Sequence, residues 1–513
     1  MGVSNMMDKN QPSQSKYMYV NLEELVPKDH LLREVIDKID FSFIYDKVEN
    51  MYSHRGRRSV DPVKLIKMLL IGYFFGIPSE RQLEEQVRVN LAYRWFLNID
   101  LDEPVPDHST ISQNRRRRFK GTNVFQEIFD EIIKLCIAEG IVTGEIIVTD
   151  STHIKANASN KRKEVVTVEC TPSEYLGILE KEAEALQEKI NKEKGYKGKK
   201  RGKEPNTAPK TKQIVRSKTD PESGYLNRPE KPKGFHYLDH MSIDAKHGII
   251  TDVYVTPGNV DDSEPYIDRL KSQQERLGLN IRKVGADKGY DYMNVHYGLD
   301  KLGIEGYIPG FARLSKTESF TIDKFAYNRN KDVYICPEGK FLYLSHIKQK
   351  KTKVYAARTR ECKACLLKEQ CLSKSDRRKS VTRPFHQDYA DKTHTRQGSV
   401  EYTRIRKLRR MWCEGTNGIL KENHNLSKAR RRGIANVLEQ CLLSALVINI
   451  KRYIKAIKQR ELRKKHTCIS NKIRTIMRKW LGKLVPSHFC QQAPLMGHSL
   501  IYTQPNRAFV KAN

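Results

Sequence analysis

The sequence predicts an α/β protein built from several folded units. Apolar residues recur at helical spacing from Ser59 toward position 135, short β-branched or apolar runs with turn residues between them occur within 141–308, and helical spacing returns after Glu401. At roughly 150 residues per domain, 513 residues suffice for about three units and exclude a single small module. A hydrophobic content of 38% supports real cores and excludes wholesale disorder. Lys and Arg number 94 against 61 Asp and Glu, a formal charge of +33. Such a balance suits a polyanionic partner, nucleic acid first, because each neutralised phosphate releases counterions. A surface of solvated Lys faces is the alternative.

Apolar runs such as 69–75 and 442–448 fall short of the ~20 residues a membrane helix needs, so no membrane association is expected. Residues 1–16 are polar and lack a signal-type apolar stretch, so the protein is expected to stay in the cytoplasm. Ten cysteines in such a chain argue for thiols or a metal site over a disulfide scaffold.

Taken in order, the first strong helix starts at Asp61, an N-cap followed by Pro62, with Val63, Ile66, Leu69, Leu70 and Tyr73 on one face. Gly76-Ile77-Pro78 ends it. Ser79 and Gln82 form a capping box for a second helix whose apolar face runs through Leu83, Val87 and Leu91 to Trp95-Phe96. A third begins near Ser109 and leads hydroxyl and amide side chains into Arg115-Arg116-Arg117-Arg118, as a DNA-reading helix would. Residues 1–135 are therefore expected to be a helical DNA-binding domain, Arg115 and Arg116 being candidate phosphate contacts. A helical packing domain with a solvated Arg face is the competing reading.

Glu145 to Asp150 reads as a buried central strand ending in a carboxylate. An insertion is expected at 157–233, with a helix from the Thr171 to Glu174 capping box through Leu179, Ala183, Leu186 and Ile190, then a basic loop from Gly195 to Gln213. Gly234 to Asp239 and Gly248 to Thr256 form a hairpin, Asp261 to Leu277 has helical character, and Ile281 to Ala286 is a strand followed by Asp287. Ile304 to Ile308 supplies a fifth strand. A Cys-containing insertion then spans 309–399, core helices follow over 400–457, and a basic tail occupies 458–513.

Two strands that both end in Asp place Asp150 and Asp287 at the carboxyl edge of one sheet, where open α/β sheets hold ligands. Strand-ending Asp residues also cap helices, so the pair alone is ambiguous. A third acid strengthens it. Arg410, Glu414 and Lys421 differ by four and seven positions and fall within about 40° on a helix at ~100° per residue. Three carboxylates in a basic chain suit two divalent ions about 4 Å apart, the arrangement that serves phosphodiester displacement. Hard oxygen donors favour Mg²⁺, or Mn²⁺ in vitro. Arg410 and Lys421 are then the cations that hold the DNA backbone.

At Val148-Thr149-Asp150-Ser151-Thr152, Ala286-Asp287-Lys288-Gly289-Tyr290-Asp291 and the Arg410, Glu414, Lys421 spacing, the chain resembles the DDE transposases of bacterial insertion sequences. The resemblance lies within the insertion-sequence-four-like superfamily, in its eleven-eighty-two branch, and covers most of the chain. Lys407 stands where that family's spaced signature has Tyr. The resemblance implies an RNase H-like catalytic core, an N-terminal domain that binds the terminal inverted repeats, and metal-dependent cleavage and strand transfer into target DNA by Asp150, Asp287 and Glu414. It further implies an insertion after the fifth strand, a homodimer on DNA, and a nucleoid-associated enzyme. The rivals are a nuclease without strand transfer and a catalytically inert sequence-specific DNA-binding protein.

Cys336, Cys362, Cys365 and Cys371 offer four soft ligands with one CxxC knuckle, a candidate structural Zn²⁺ site, with four reduced thiols as the alternative. Arg430, Arg431 and Arg432 are candidate phosphate contacts beside the active site.

Overall fold

The computed structural model describes residues 21–53, 55, 59–169, 174–193, 211–229, 233–311, 319–373 and 375–484. The chain divides into two compact units, residues 1–456 and 457–513. The first opens with eight helices: α1 (Leu22–Leu25), α2 (Leu31–Lys38), α3 (Phe43–Val48), α4 (Pro62–Phe74), α5 (Glu80–Val89), α6 (Leu91–Leu97), α7 (His108–Arg117) and α8 (Val124–Ala138). The expected caps form: Asp61 accepts the Val63 N–H at 2.7 Å, and the Ser79 hydroxyl accepts the Gln82 N–H at 3.2 Å. The second expected helix is in fact two, because extended Asn90 turns its side chain onto the Ala92 N–H at 2.9 Å and starts α6 afresh.

Next come β1 (Ile146–Lys155), β2 (Lys163–Glu169), α9 (Glu174–Glu193), β3 (Thr211–Ser217), β4 (Gly224–Leu226), β5 (Gly234–Asp244), β6 (Ile250–Pro257), α10 (Tyr266–Leu277), β7 (Lys283–Gly285), α11 (Met293–Lys301) and β8 (Glu305–Tyr307). The main sheet runs β6-β5-β1-β7-β8, with β4 sharing the outer edge of β5. β1 is antiparallel to β5 and parallel to β7, and β7 is parallel to β8. β5 is buried along its whole length, as the centre of a two-sided core requires. β1 continues five residues past Asp150 because its antiparallel pairing with β5 extends to Lys155↔His236. The parallel pairing with β7 stops at Val148↔Gly285.

The first insertion holds the expected helix, α9, which buries Leu179, Ala183 and Ile190, and also a β2/β3 ribbon that the sequence did not suggest. Residues 171–173 of the expected capping box and 195–210 of the basic loop lie outside the described residues.

A second, antiparallel sheet follows, formed by β9 (Ala326–Asn328), β10 (Val333–Ile335), β11 (Phe341–Lys348) and β12 (Thr352–Ala356) and, after α12 (Thr359–Lys363) and α13 (Lys368–Cys371), by β13 (Ser380–Pro384). Its core gathers Phe325, Tyr334, Leu342, Tyr355 and Val381. The two insertions pack together: Leu179 and Ala183 of α9 meet Phe385, and Gln187 accepts the Ile347 N–H at 3.1 Å. α14 (Gln387–His394), inside the expected 309–399 insertion, turns back onto the main core, where Lys392 pairs with Asp300 at 2.6 Å.

The chain closes with α15 (Val400–Arg409), a π-helical turn (Arg410–Glu414), α16 (Gly415–Asn423) and α17 (Ile434–Leu484). α15 sits close on the sheet because Gly285 offers no Cβ; a methyl there would stand 2.5 Å from Ile405 Cγ2. Trp412 donates to the Ala245 carbonyl at 2.9 Å and lies where a Cβ on Gly248 would fall. Asn449 of α17 bonds both the N–H and the carbonyl of Ile250 at 2.7 Å, serving as a strand edge. Residues 434–467 of α17 are long and apolar enough to cross a membrane, but 72% of their most apolar window is buried inside the protein, as in a core helix.

Asp239, at 1% exposure on β5, is a fold-level cost. Burial pushes its carboxyl up to about 7, against the pull of Arg269 and a hydrogen bond from the Cys441 thiol. Because the folded chain holds this proton more tightly than the unfolded one, its contribution to stability is full below about pH 4 and is lost as pH rises through about 7. Denaturation midpoints measured across that window should fall with a slope that Asp239→Asn flattens, a difference on the order of a few kcal/mol; parallel slopes would contradict the assignment.

Candidate active site

The register of the main sheet brings the first two acids together. With Val148 opposite Gly285, extending the pairing by two residues sets Asp150 beside Asp287. The strands part at that level, and α15 delivers a cation into the gap. Arg409 Nη2 lies 3.0 Å from Asp150 Oδ1 and 4.0 Å from Asp287 Oδ2, and its Nη1 lies 3.9 Å from Glu414 Oε1. Its Nε also donates to the Thr149 carbonyl at 3.3 Å. The three sequence-predicted acids therefore surround one guanidinium.

The π turn explains why Arg409 does this. In a π-helix residues five apart come into register, and Arg409 and Glu414 are five apart. Arg410 is 82% exposed and reaches Glu414 only at 3.7 Å, so it points outward with its charge available to a ligand. Side-chain exposure rises from 16% at Asp150 through 39% at Asp287 to 56% at Glu414, so Asp150 forms the floor and Glu414 the mouth. Burial pushes the Asp150 carboxyl up, Arg409 pulls it back and Asp287 adds to the rise. Asp287 also caps the following turn, accepting the Gly289 N–H at 2.8 Å, so the two readings of a strand-ending Asp hold together. Asn417 reaches Asp150 Oδ2 at 3.4 Å, and Ser151 donates to a further acid, Asp262, at 2.7 Å.

The other basic residues divide. Lys421 is half-buried on α16. Arg116 and Arg432 are exposed, Arg432 donating to the Asn157 carbonyl at 3.0 Å. Arg115 is buried and pairs with Glu80 and Glu439, so it ties α7 to α5 and α17 and is not presented to a phosphate. Arg431 is spent on the same Glu439, and Arg430 stacks over the Tyr73 ring at 4.7 Å. These three side chains hold the helical layer to the core. The expectation of phosphate contact is corrected for them because the sequence pattern could not show the carboxylates and ring they face. Arg409 was missed: only the Arg409-Arg410 doublet hinted at it, and choosing between the two requires the π turn. The four cysteines, Cys336, Cys362, Cys365 and Cys371, line one small cavity beside the second sheet.

Comparison with known proteins gives two domain matches. Residues 20–117 match the model of a transposase domain, and residues 335–454 match that of a transposase DDE domain. The second match contains Glu414, while Asp150 and Asp287 lie outside both. No curated protein sequence matches. Similar solved structures include the piggyBac transposase synaptic complex with hairpin DNA, at 10% identity and a TM-score of 0.29 over 91% of this chain and 84% of that one. The Mos1 mariner paired-end complex with Mn follows at 11% and 0.15, over 50% and 60%. The Mos1 complex with the left transposon end stands at 11% and 0.15, over 52% and 64%. Similarity this low fixes neither register nor site.

The two domain matches define a DNA transposase, an enzyme of metal-dependent DNA cleavage and strand transfer. More particularly, the second match is to the DDE class of transposases.

The guanidinium contact yields a test that needs no DNA. Arg409→Ala leaves a buried carboxylate unpaired and should cost about 2–4 kcal/mol in urea unfolding, most of which should vanish in an Asp150→Asn background. Strictly additive effects would show that the two side chains do not interact.

Proposed function

We propose that Asp150, Asp287 and Glu414 hold two divalent ions, Mg²⁺ or Mn²⁺, on an RNase H-like core, and that the enzyme uses them to cut the terminal inverted repeats of its element and join the 3′ ends to target DNA. The observation that carries this reading is the convergence of the three acids within 4.0 Å of one guanidinium. The donor set fits hard cations: all three groups offer carboxylate oxygens, and two of the three contacts to Arg409 are at ion-pair rather than hydrogen-bond distance. Bound there, such ions neutralise the attacking and leaving oxygens of an in-line displacement. The sheet order, with β5 antiparallel to β1, β6 antiparallel to β5, and β7 and β8 parallel on the other side of β1, supports the RNase H-like reading.

The chain's own residues do the rest. Arg409 offsets the mutual repulsion of the acids while the site is empty of DNA. Arg410, exposed at the mouth, and Lys421, two helical turns further on, receive phosphates of the bound end. Arg432 and Arg116 extend that positive track, α7 with its exposed Arg116 belonging to the segment that reads the inverted repeat. Two ends must be cut in concert, so the working form is a homodimer on DNA, in the nucleoid of a bacterial cell. Cys336, Cys362, Cys365 and Cys371 hold a structural Zn²⁺. Three of them pack on the core of the second sheet, and Cys336 Sγ accepts the Lys340 N–H at 3.3 Å, as thiolate ligands commonly do.

Incubating end-bearing DNA with Mg²⁺ and protein should give cleaved and joined products. Asp150→Asn, Asp287→Asn and Glu414→Gln should each abolish them while retaining end binding, and unaltered cleavage in any variant removes that residue from the metal set. Arg410→Ala and Lys421→Ala should weaken DNA binding and lower the salt slope by about one unit each. For the thiols, elemental analysis of Cys362→Ser and Cys365→Ser proteins should show zinc lost, and a zinc-free wild type would end that part of the proposal.

A further inference from the structure

A second cluster of metal-ligating groups lies beyond the acid trio. Asp291, four residues after Asp287, directs Oδ1 at His296 Nε2, 2.8 Å away, and at His394 Nε2, 2.7 Å away. Its Oδ2 accepts the Phe311 N–H at 2.8 Å. The three ligand atoms all lie within 4.8 Å of one another. His296 comes from α11 and is fully buried; His394 ends α14 and is 29% exposed. Their rings stand nearly perpendicular, at 81° with centroids 5.4 Å apart. His394 and Asp291 open onto a cleft of about 800 Å³ that Phe311, Tyr327 and Arg383 also line.

On the far side of His296, Nδ1 faces the Thr393 hydroxyl. The Thr393 hydroxyl has one proton and donates it to the Tyr389 carbonyl at 3.2 Å. With its proton so placed it accepts from His296 Nδ1–H, 3.2 Å away, an arrangement in which a neutral ring turns its Nε2 lone pair toward the carboxylate. Two acceptors at 2.8 Å need a proton or a metal ion between them. The pattern, an imidazole whose other nitrogen donates to a fixed neighbour, is the usual surrounding of a metal-bound His.

We propose that Asp291, His296 and His394 bind a divalent transition-metal ion of borderline softness, Zn²⁺ being the first choice, with an open position toward the cleft. Two imidazoles and one carboxylate suit Zn²⁺ over the all-oxygen preference of Mg²⁺. The ion joins three parts of the chain: the turn that carries Asp287, α11 of the core, and α14 at the end of the second insertion. It thereby clamps that insertion to the loop that places a catalytic acid.

The test uses full-length protein carrying Cys362→Ser and Cys365→Ser, stripped with chelator and kept in excess Mg²⁺ so that neither the thiols nor the acid trio compete. Titration with Co²⁺ should show one equivalent bound with a visible d–d spectrum and no thiolate charge-transfer band, displaced by Zn²⁺, with a raised melting temperature. His394→Ala, at a partly exposed helix end, should lose that equivalent. Thr393→Val, which keeps the side-chain shape but removes the hydroxyl, should weaken binding about 10- to 100-fold. No bound Co²⁺ or Zn²⁺ at micromolar concentration, or full binding retained by His394→Ala, would overturn the proposal and leave Asp291 as a proton-bridged acceptor of two imidazoles.

Discussion

Three carboxylates do not gather in one place without a cation, and the rest of this architecture follows from that constraint. Arg409 meets it in the isolated chain. Its guanidinium touches Asp150 at hydrogen-bond distance and the other two acids at ion-pair distance, a geometry that holds the trio together without saturating it. The surrounding fold sets the position of that one side chain to within ångströms. Gly285 lets α15 descend onto the sheet, Trp412 locks the following turn to Ala245, and Asn449 fixes α17 against the strand beside them. A π turn, a feature often found at functional sites, converts the local geometry so that Arg409 turns in and Arg410 turns out.

The same logic of charge explains how the helical layer is attached. Arg115 and Arg431 converge on Glu439, and the Tyr73 ring lies under Arg430. His424 Nδ1–H donates to the Tyr73 carbonyl, 2.7 Å away, and Asn425 donates to the Gly76 carbonyl at 2.6 Å. The end of α4 is thus stitched to the loop that follows α16, and the segment expected to read DNA is docked firmly on the core. Charges that look like a solvated patch in the sequence are partly structural rivets, and the cationic surface left for a polyanion is correspondingly more selective.

Much of this was legible in the sequence. Capping chemistry at Asp61 and Ser79 announced α4 and α5, a β-branched run announced β1, and alternating or apolar runs announced β5, β6, β7 and β8. The acids stood out because β-branched runs that lead into Asp place carboxylates beside one another in a sheet, and extending the β1–β7 pairing by two residues makes Asp150 and Asp287 neighbours. What stayed hidden depends on contacts distant in the chain. The break at Asn90 turns on a side-chain cap inside a continuous apolar pattern. The inward turn of Arg115 needs Glu439, more than three hundred residues away, and the role of Arg409 needs a π turn that no periodicity of 3.6 can express. The Asp291, His296 and His394 cluster is likewise split between the turn after Asp287, α11 and α14, so no local spacing reveals it.

Anomalous diffraction from crystals grown with Mn²⁺ tests the convergence of the acids most directly. Manganese peaks bounded by the Asp150 and Asp287 carboxylates, with the Arg409 to Asp150 contact lengthened from its present 3.0 Å, are the expected result. Manganese bound only elsewhere, with Arg409 still seated among the three acids, would contradict the assignment of the site.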